Sequence, residues 1–496
     1  MRRLDPWGPL FALAGTVVFL LHGFGGTLTR DLALYAYSGQ QFAEGEPPYV
    51  SVLNRVGPLA HMVPGAGAAI ARVIGTDDLL TQRVLMMVLS VAAVWLMYVV
   101  GRDMFKSRLA GAATATSLLM LEGFVIYATG GPREKTTMML LVVCTMLAVT
   151  HRRWAWAGAS VALATLTWQP VFVAGAAMTV AAMLPLPWRR IPGALLRFVV
   201  GGLVPTALMC GYFLAVGAFR EFLDGFYLIN AEYTDQSGLR EFLGSEMQEL
   251  VDAFGWSLWV LLAGLAASML LALLRIRGFD RTDASQVAVV AFGLATLASI
   301  LWCLRVFNGW ADAVFLFPMA AAGLGGLVLL IARRLPSNAV VPAVATYAVV
   351  GLVAAGTNAV TTRQDELEPL RDVTDALLAA GGPDAEVQSI GAPQPLVFGN
   401  LRNPIRDQMF IAGLQDYLDE NRPGGLAAIG AQIGEDEPTF VTMDHPTWYP
   451  WAHPTLDEEY VELGRTQLVT WYAHRSLGPD RLAELEAIVA GGPPPM

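Results

Sequence analysis

The sequence predicts a polytopic α-helical membrane protein, with about eleven transmembrane helices followed by a small C-terminal α/β domain outside the membrane. Three observations carry this expectation. Of 496 residues, 55% are hydrophobic and only 15% charged, whereas soluble domains carry roughly a quarter charged residues. The apolar residues fall into blocks of near-span length instead of amphipathic stripes. After Thr357 the composition turns polar and stays so to the end. A mean hydropathy of +0.49, a net charge of −10 and a pI near 5.2 exclude a disordered chain, a basic nucleic-acid binder and a small disulfide scaffold.

Taken in order, the spans fall near residues 8–28, 82–101, 109–127, 136–150, 154–168, 170–187, 194–216, 255–274, 285–304, 313–332 and 339–357. The first follows Arg2 and Arg3 like a signal peptide, but no small-residue cleavage site follows it, so it reads as a retained helix. The split between the fifth and sixth rests on Trp168-Gln169-Pro170. With the N-terminus inside, the cytoplasmic loops collect Arg2, Arg3, Arg102, Lys106, Arg108, Arg152, Arg153, Arg189, Arg190, Arg197, Arg275, Arg277, Arg281, Arg333 and Arg334. Against these stand only Asp5, Asp103, Asp280 and Asp283. The outer loops reverse the balance, as the positive-inside rule requires, and the tail after residue 358 lies outside.

Two outer loops are too long to be turns. The first, residues 29–81, contains "GPLAHMVPGAGAAIARVIG", apolar but broken by Pro58, Pro64 and glycines, which reads as a juxtamembrane or re-entrant helix. The second, Gly217 to Gly255, is acidic, and "REFLDGFYLINAEY" suggests surface helices. Residues 1–357 form the membrane domain and 358–496 a soluble α/β domain. In that tail "TTRQDELEPLRDVTDALLAAGG" reads as a helix, "AEVQSIGAPQPLVFGN" as a strand, "PGGLAAIGAQIGEDEPTFVTMD" as helix then strand, and "GRTQLVTWYAH" as a final strand.

The chemistry-bearing residues concentrate at the outer face. Asp31 stands just past the first span, where partial desolvation would raise its pKa and make it a better general base. Arg133, Lys135 and Arg305 lie at the outer membrane edge, which the positive-inside rule disfavours, and an anionic ligand at that depth would account for them. Glu122 is an intramembrane acid near the outer end of the third span. His22 and His61 read as satisfied packing histidines, and Cys144, Cys210 and Cys303 as small hydrophobic residues. No His-x₃-His, Cys-x₂-Cys or clustered aspartate motif encodes a metal cage. The tail's "DHPTWYPWAHP" groups His445, Trp448, Tyr449, Trp451 and His453, aromatic faces that stack either on a sugar or on their own domain.

The ordered pattern D-x₃-Y, G-x₂-PY and N-R-x-GPL in the first outer loop resembles the polyprenyl-phosphate-sugar-dependent glycosyltransferases of the GT-C fold. Within them it is most similar to the dolichyl-phosphate-mannose mannosyltransferase group, with protein O-mannosyltransferases and aminoarabinose transferases more distant. "GTDDLLTQRV", "GGPREKTTMMLL" and "NGWADAVFLFPMAAAGLG" fit the same resemblance, which covers residues 15–330. It implies that Asp31 is the catalytic base and that Arg55 contacts the lipid phosphate. It implies also that Glu134 is an acidic position binding acceptor, sugar or metal. Arg133, Lys135 and Arg305 join Arg55 as donor-phosphate candidates. The family's Lys-Pro between the fifth and sixth spans is Gln169-Pro170 here, which removes a charge.

The activity so implied is inverting transfer of a sugar, mannose first, from a polyprenyl-phosphate donor to a hydroxyl of a glycan, lipid or protein acceptor on the extracytoplasmic face of the plasma membrane. A divalent cation (Mg or Mn) is left open. Membrane lipids are partners and nucleic acids are not. The alternative is a transporter or lipid-linked-sugar flippase, which would show repeat-related halves and broken helices meeting at the bilayer midplane. A membrane scaffold displaying the tail leaves the first-loop pattern unexplained.

Overall fold

The computed structural model describes residues 5–233, 244, 246–307, 309–411 and 413–492. Arg2 and Arg3, used above for orientation, lie outside them, as does part of the acidic loop after Tyr233. The chain forms two compact units. A membrane unit holds Met1–Gly23, Val84–Tyr212 and Gln236–Arg363; a loop-and-tail unit holds Phe24–Arg83, Phe213–Asp235 and Gln364–Met496.

All eleven apolar segments are helical. Length and composition qualify six as membrane-crossing among the described residues: Asp78–Phe105, Trp188–Ala215, Ser257–Ile276, Ala284–Cys303, Trp310–Ala332 and Ser337–Thr361. A bent pair makes seven. Glu134–Thr150, Trp154–Thr165, Val171–Met183 and Trp7–His22 have 17, 12, 13 and 16 residues. The chain is an integral membrane protein, and the count of eleven crossings goes beyond what helix length supports.

Two span boundaries depart from the sequence reading. The first helix stops at His22, where Gly23 takes φ 79°, and not at residue 28; the chain restarts as a separate helix, Arg30–Ala43. The third span is not one straight rod, because Arg108–Leu119 and Glu122–Thr129 meet at 70°. Leu121 leaves the helical region (φ −86°, ψ 110°), and the Glu122 N–H, released from the helical ladder, donates to Ser257 Oγ at 3.3 Å. A tertiary partner thus offsets the broken backbone bond.

Within the membrane unit, small residues let helix backbones touch. A Cβ on Gly323 would lie 2.2 Å from the Gly264 carbonyl oxygen, and one on Gly264 would lie 2.4 Å from that of Ala320. Helices Ser257–Ile276 and Phe317–Ala332 therefore pack at a separation only glycine allows, the usual device where lipid removes the hydrophobic drive between helices. Four of the segments assigned to the cytoplasm, around Asp5, Arg102–Arg108, His151–Arg152 and Arg281–Asp283, contact one another. Asp5 pairs with Arg102 at 3.2 Å and Arg108 at 3.3 Å, and Lys106 with Asp283 at 2.9 Å. His151 lies 3.0 Å from Asp103, and Arg152 donates to the Arg281 carbonyl at 2.9 Å.

In the loop-and-tail unit, the broken apolar stretch of the first loop is a helix, Leu59–Ile74, with Pro64 inside it. It lies against Arg30–Ala43 so closely that a Cβ on Gly39 would stand 2.8 Å from Pro64. The segment after Gly217 supplies Phe219–Leu223, a π-turn at Asp224–Leu228, and Ile229–Glu232. The tail contributes helix Leu367–Gly381 and a four-stranded sheet. Its strands are β1 (Val387–Ile390), β2 (Phe440–Met443), β3 (Tyr460–Thr466) and β4 (Val469–His474), in spatial order β1-β2-β4-β3. β1 and β2 are parallel and the other pairs antiparallel. The expected single final strand is a hairpin: Gln467, at φ 48°, turns the chain between β3 and β4. Trp471 of β4 is fully buried, edge-on to Phe440 at 5.8 Å, and anchors the sheet's core.

Candidate functional site

Asp31 is not a loop residue trailing the first span. It sits in the first turn of helix Arg30–Ala43, preceded by the extended Thr29. A carboxylate there is favoured by the helix dipole. Residues Leu32 through Gln41 are buried, so the helix is locked in place, while Arg30 and Asp31 at its start are partly exposed. The Asp31 side chain is 24% exposed, and its Oδ1 lies 3.3 Å from Nε of Arg30.

Arg30 has a second anion. Its Nη1 donates to Oδ2 of Asp444 at 3.1 Å. Asp444 follows the last residue of β2 directly, and its Oδ1 accepts from the His445 N–H at 2.8 Å and the Tyr449 hydroxyl at 2.6 Å. Burial by itself would lower the Arg30 pKa, but the carboxylates of Asp31 and Asp444 outweigh it and hold the group above its ordinary value. Burial, reinforced by Asp444, pushes the Tyr449 phenol up. Both therefore remain protonated donors at neutral pH, and Asp31 is the more exposed of the two carboxylates on Arg30.

Arg55 belongs to the same unit. Tyr49, buried at φ 70°, donates its hydroxyl to the Val56 carbonyl at 2.6 Å and closes the loop that carries Arg55. The Arg55 N–H donates to Asn54 Oδ1 at 2.7 Å, and its carbonyl accepts from Asn230 Nδ2 at 2.6 Å. Leu53 N–H donates to the Arg406 carbonyl at 2.9 Å. The backbone at Arg55 is thus fixed from the acidic loop and from the tail, and its side chain is half-buried.

The membrane unit assembles the second group. Arg133, Glu134 and Lys135 open helix Glu134–Thr150. Lys135 Nζ lies 2.9 Å from Asp312 Oδ1, 3.4 Å from Glu134 Oε1, and 3.3 Å above the centre of the Trp168 ring. Its side chain is 1% exposed and that of Glu134 is 3%. Arg133 Nε is 3.5 Å from Glu134 Oε2, with the guanidinium over Tyr127 at 5.2 Å. Tyr127 stacks on Trp310 at 4.9 Å, and the Trp310 N–H donates to Glu249 at 3.0 Å. Arg305, just past helix Ala284–Cys303, is exposed.

The structure therefore brings Asp31 and Arg55 into one unit, and Arg133, Glu134, Lys135 and Arg305 into the other. Sequence reasoning missed Arg30, Asp444 and Tyr449 as members of the Asp31 cluster, and missed the Asp312 bond to Lys135. An Arg-Asp pair at a helix start was a visible signal. Asp444, after a four-residue apolar strand, offered none. Among the tail aromatics, Tyr449 is buried and Trp451 packs on Phe410 at 4.9 Å, while Trp448 is 51% exposed and stacks on His445 at 4.2 Å. His22 and His61 are buried and bond through Nδ1 to Thr129 and Ser38, each at 2.7 Å. Cys144, Cys210 and Cys303 are free thiols. Among the described residues, no group of three or more His, Cys, Asp or Glu side chains is arranged to hold a metal ion.

Similar structures come from three kinds of glycosyltransferase. ArnT from Cupriavidus metallidurans bound to undecaprenyl phosphate matches at a TM-score of 0.67 and 16% identity, over 96% of this chain and 100% of that one. The oligosaccharyltransferase AglB from Archaeoglobus fulgidus, in complex with an inhibitory peptide and a dolichol-phosphate, matches at 0.52 and 14%, over 88% of this chain and 69% of that one. The arabinofuranosyltransferase AftD from Mycobacteria matches at 0.51 and 16%, over 95% of this chain and 40% of that one. These likenesses show that the chain has the GT-C fold. No family model matches it, and no curated protein matches it in sequence.

Proposed function

We propose that the protein is an inverting glycosyltransferase that takes a sugar, mannose in the first instance, from a polyprenyl-phosphate donor and passes it to an acceptor hydroxyl on the extracytoplasmic face. The observation that carries this reading is a GT-C fold, shared over 96% of the chain with a structure holding undecaprenyl phosphate, together with an accessible carboxylate in the first turn of the helix that follows the first span. Asp31 takes the acceptor's hydroxyl proton. The oxygen attacks the anomeric carbon, the bond from that carbon to the phosphate oxygen breaks, and polyprenyl phosphate leaves with the electron pair. A single displacement needs one base and a stabilised leaving group, not the paired carboxylates of retaining hydrolysis.

Arg55 is the first choice for the leaving phosphate, because its backbone is fixed while its guanidinium remains half-exposed. Among the cations of the membrane unit, Arg305 is exposed and within reach of an anion, whereas the Lys135 side chain is 1% exposed. Glu134 is then a residue that holds the buried cluster together and orients Arg133. The extracytoplasmic placement is supported by the charge segregation of the loops, whose basic members Arg102 and Arg108 gather around Asp5 within the membrane unit. The test is label transfer from a radiolabelled polyprenyl-phosphate mannose by membranes containing the wild-type chain, against membranes containing Asp31→Asn.

A further inference from the structure

We propose that Asp444, at the end of the central strand β2, sets the charge that Arg30 presents to Asp31, so that the C-terminal sheet is an electrostatic part of that acid's site. The inference deepens the reading of Asp31 as base and rests on it for its functional meaning. Arg30 stands between two carboxylates, 3.3 Å from Asp31 and 3.1 Å from Asp444. A lone guanidinium at such a distance stabilises the neighbouring carboxylate anion and typically depresses its pKa by about 1–3 units. A carboxylate held that firmly ionised is a weak base. The second carboxylate at the other side of the fork offsets that field, leaving Asp31 ionised yet still able to accept a proton.

The arrangement around Asp444 is built for this. Its side chain is 7% exposed; the His445 N–H and the Tyr449 hydroxyl converge on Oδ1, while Arg30 takes Oδ2. Gly391, which follows β1, keeps the space open. It has φ 76°, and a Cβ there would lie 2.3 Å from Asp444 Oδ1 and 2.7 Å from the Tyr449 oxygen. β2 lies between β1 and β4, so Asp444 is launched from the interior of the sheet.

Among the described residues, the titratable groups acting on Arg30 are Asp31, Asp444 and the Tyr449 phenol. Helix Leu59–Ile74, packed on the same helix, offers His61 and Arg72. These face Ser38 and the Gln40–Glu44 end, farther along. Helix Gln394–Gly399, also packed there, carries no titratable side chain. The His445 imidazole stacks on Trp448.

The test titrates Asp31 directly in the full-length protein in detergent, by the rate of carbodiimide coupling to its protonated carboxyl against pH, read by peptide mass spectrometry. It needs no sugar donor. Arg30→Gln removes the cation and should raise the midpoint by about 1–3 pH units. Asp444→Asn leaves the guanidinium uncompensated and should move the midpoint the opposite way, downward. Asp444→Ser, which keeps a hydroxyl acceptor for the His445 N–H, takes its place if the asparagine variant does not accumulate. An unmoved midpoint in the Asp444 variant overturns the proposal. So does an upward shift, which would mean that Asp444 only props the guanidinium in place. The transfer assay with Asp31→Asn keeps the two readings apart. An inactive Asp31→Asn with unmoved midpoints leaves the base standing and removes the Asp444 role; an active Asp31→Asn with opposed shifts does the reverse.

Discussion

Arg30 and Asp444, 414 positions apart in the sequence, form a 3.1 Å ion pair. Through it the tail reaches the acid that opens the helix after the first span. A partly buried pair of this kind stands between two limits. Exposed pairs contribute about 0–1 kcal/mol, and breaking a buried pair costs about 3–5 kcal/mol. With side chains 26% and 7% exposed, the Arg30–Asp444 pair belongs between them.

Arg55 is expected to act on the donor more than on the acceptor. Its guanidinium would meet a phosphodiester that gains charge as the lipid phosphate leaves, so Arg55→Ala should raise the donor KM and lower kcat together. Arg55→Lys should recover part of the activity, because the charge survives while the bidentate fork is lost. Steady-state kinetics with donor and acceptor varied separately decide this. A change confined to the acceptor KM would remove Arg55 from the phosphate.

Lys135 and Arg305 should separate stability from activity. Lys135→Met removes the buried cation that Asp312 and Glu134 share, and breaking a buried ion pair costs about 3–5 kcal/mol. Arg305→Ala, at an exposed position, should cost less stability than that and lower transfer instead. Thermal unfolding of the two variants in detergent, set beside their label transfer, makes the comparison. Equal loss of stability in both would contradict it.

Gly391→Ala should damage the Asp31 cluster without touching it. The new methyl must displace Asp444 and Tyr449 from positions 2.3 and 2.7 Å away, at a φ of 76° that alanine resists. Left-handed strain of this kind costs on the order of 1–3 kcal/mol. A variant with wild-type melting temperature and wild-type transfer would show that the Asp444 geometry is not needed.

Much of the membrane unit could be read from the sequence because twenty-residue apolar blocks have little choice but to be helices in lipid. Boundaries were harder, for reasons that lie in tertiary structure. The stop at Gly23 and restart at Arg30 are hidden because glycines and threonines between them are no less apolar than a span end. The bend at Leu121 depends on Ser257 receiving the freed N–H, a partner 135 residues away from Glu122. In the tail, β3 escaped because "YVELGRT" alternates weakly and carries two charges. Asp31 stood out as an acid at the membrane surface. Asp444 did not, since nothing local marks an aspartate after a strand as the partner of an arginine near the other end of the chain.

The placement of the site on the outer face can be checked independently of activity. A reporter fused after Met496, a position beyond the described residues, should be exported, while fusions after Arg108 or Arg334 should remain cytoplasmic. Both inner sites belong to the basic loops, and Arg108 lies 3.3 Å from Asp5 within the membrane unit. A cytoplasmic signal from the C-terminal fusion would invert the assignment of faces.

The most direct measurement is label transfer from radiolabelled polyprenyl-phosphate mannose by purified wild-type and Asp31→Asn protein at equal amounts. Asparagine keeps the shape of the side chain and removes the base, and general-base catalysis is typically worth about 10²–10⁴ in rate. The account predicts a loss of that size with an unchanged melting temperature. A loss of less than tenfold would contradict it, and would leave Asp31 as an acid that only begins a helix.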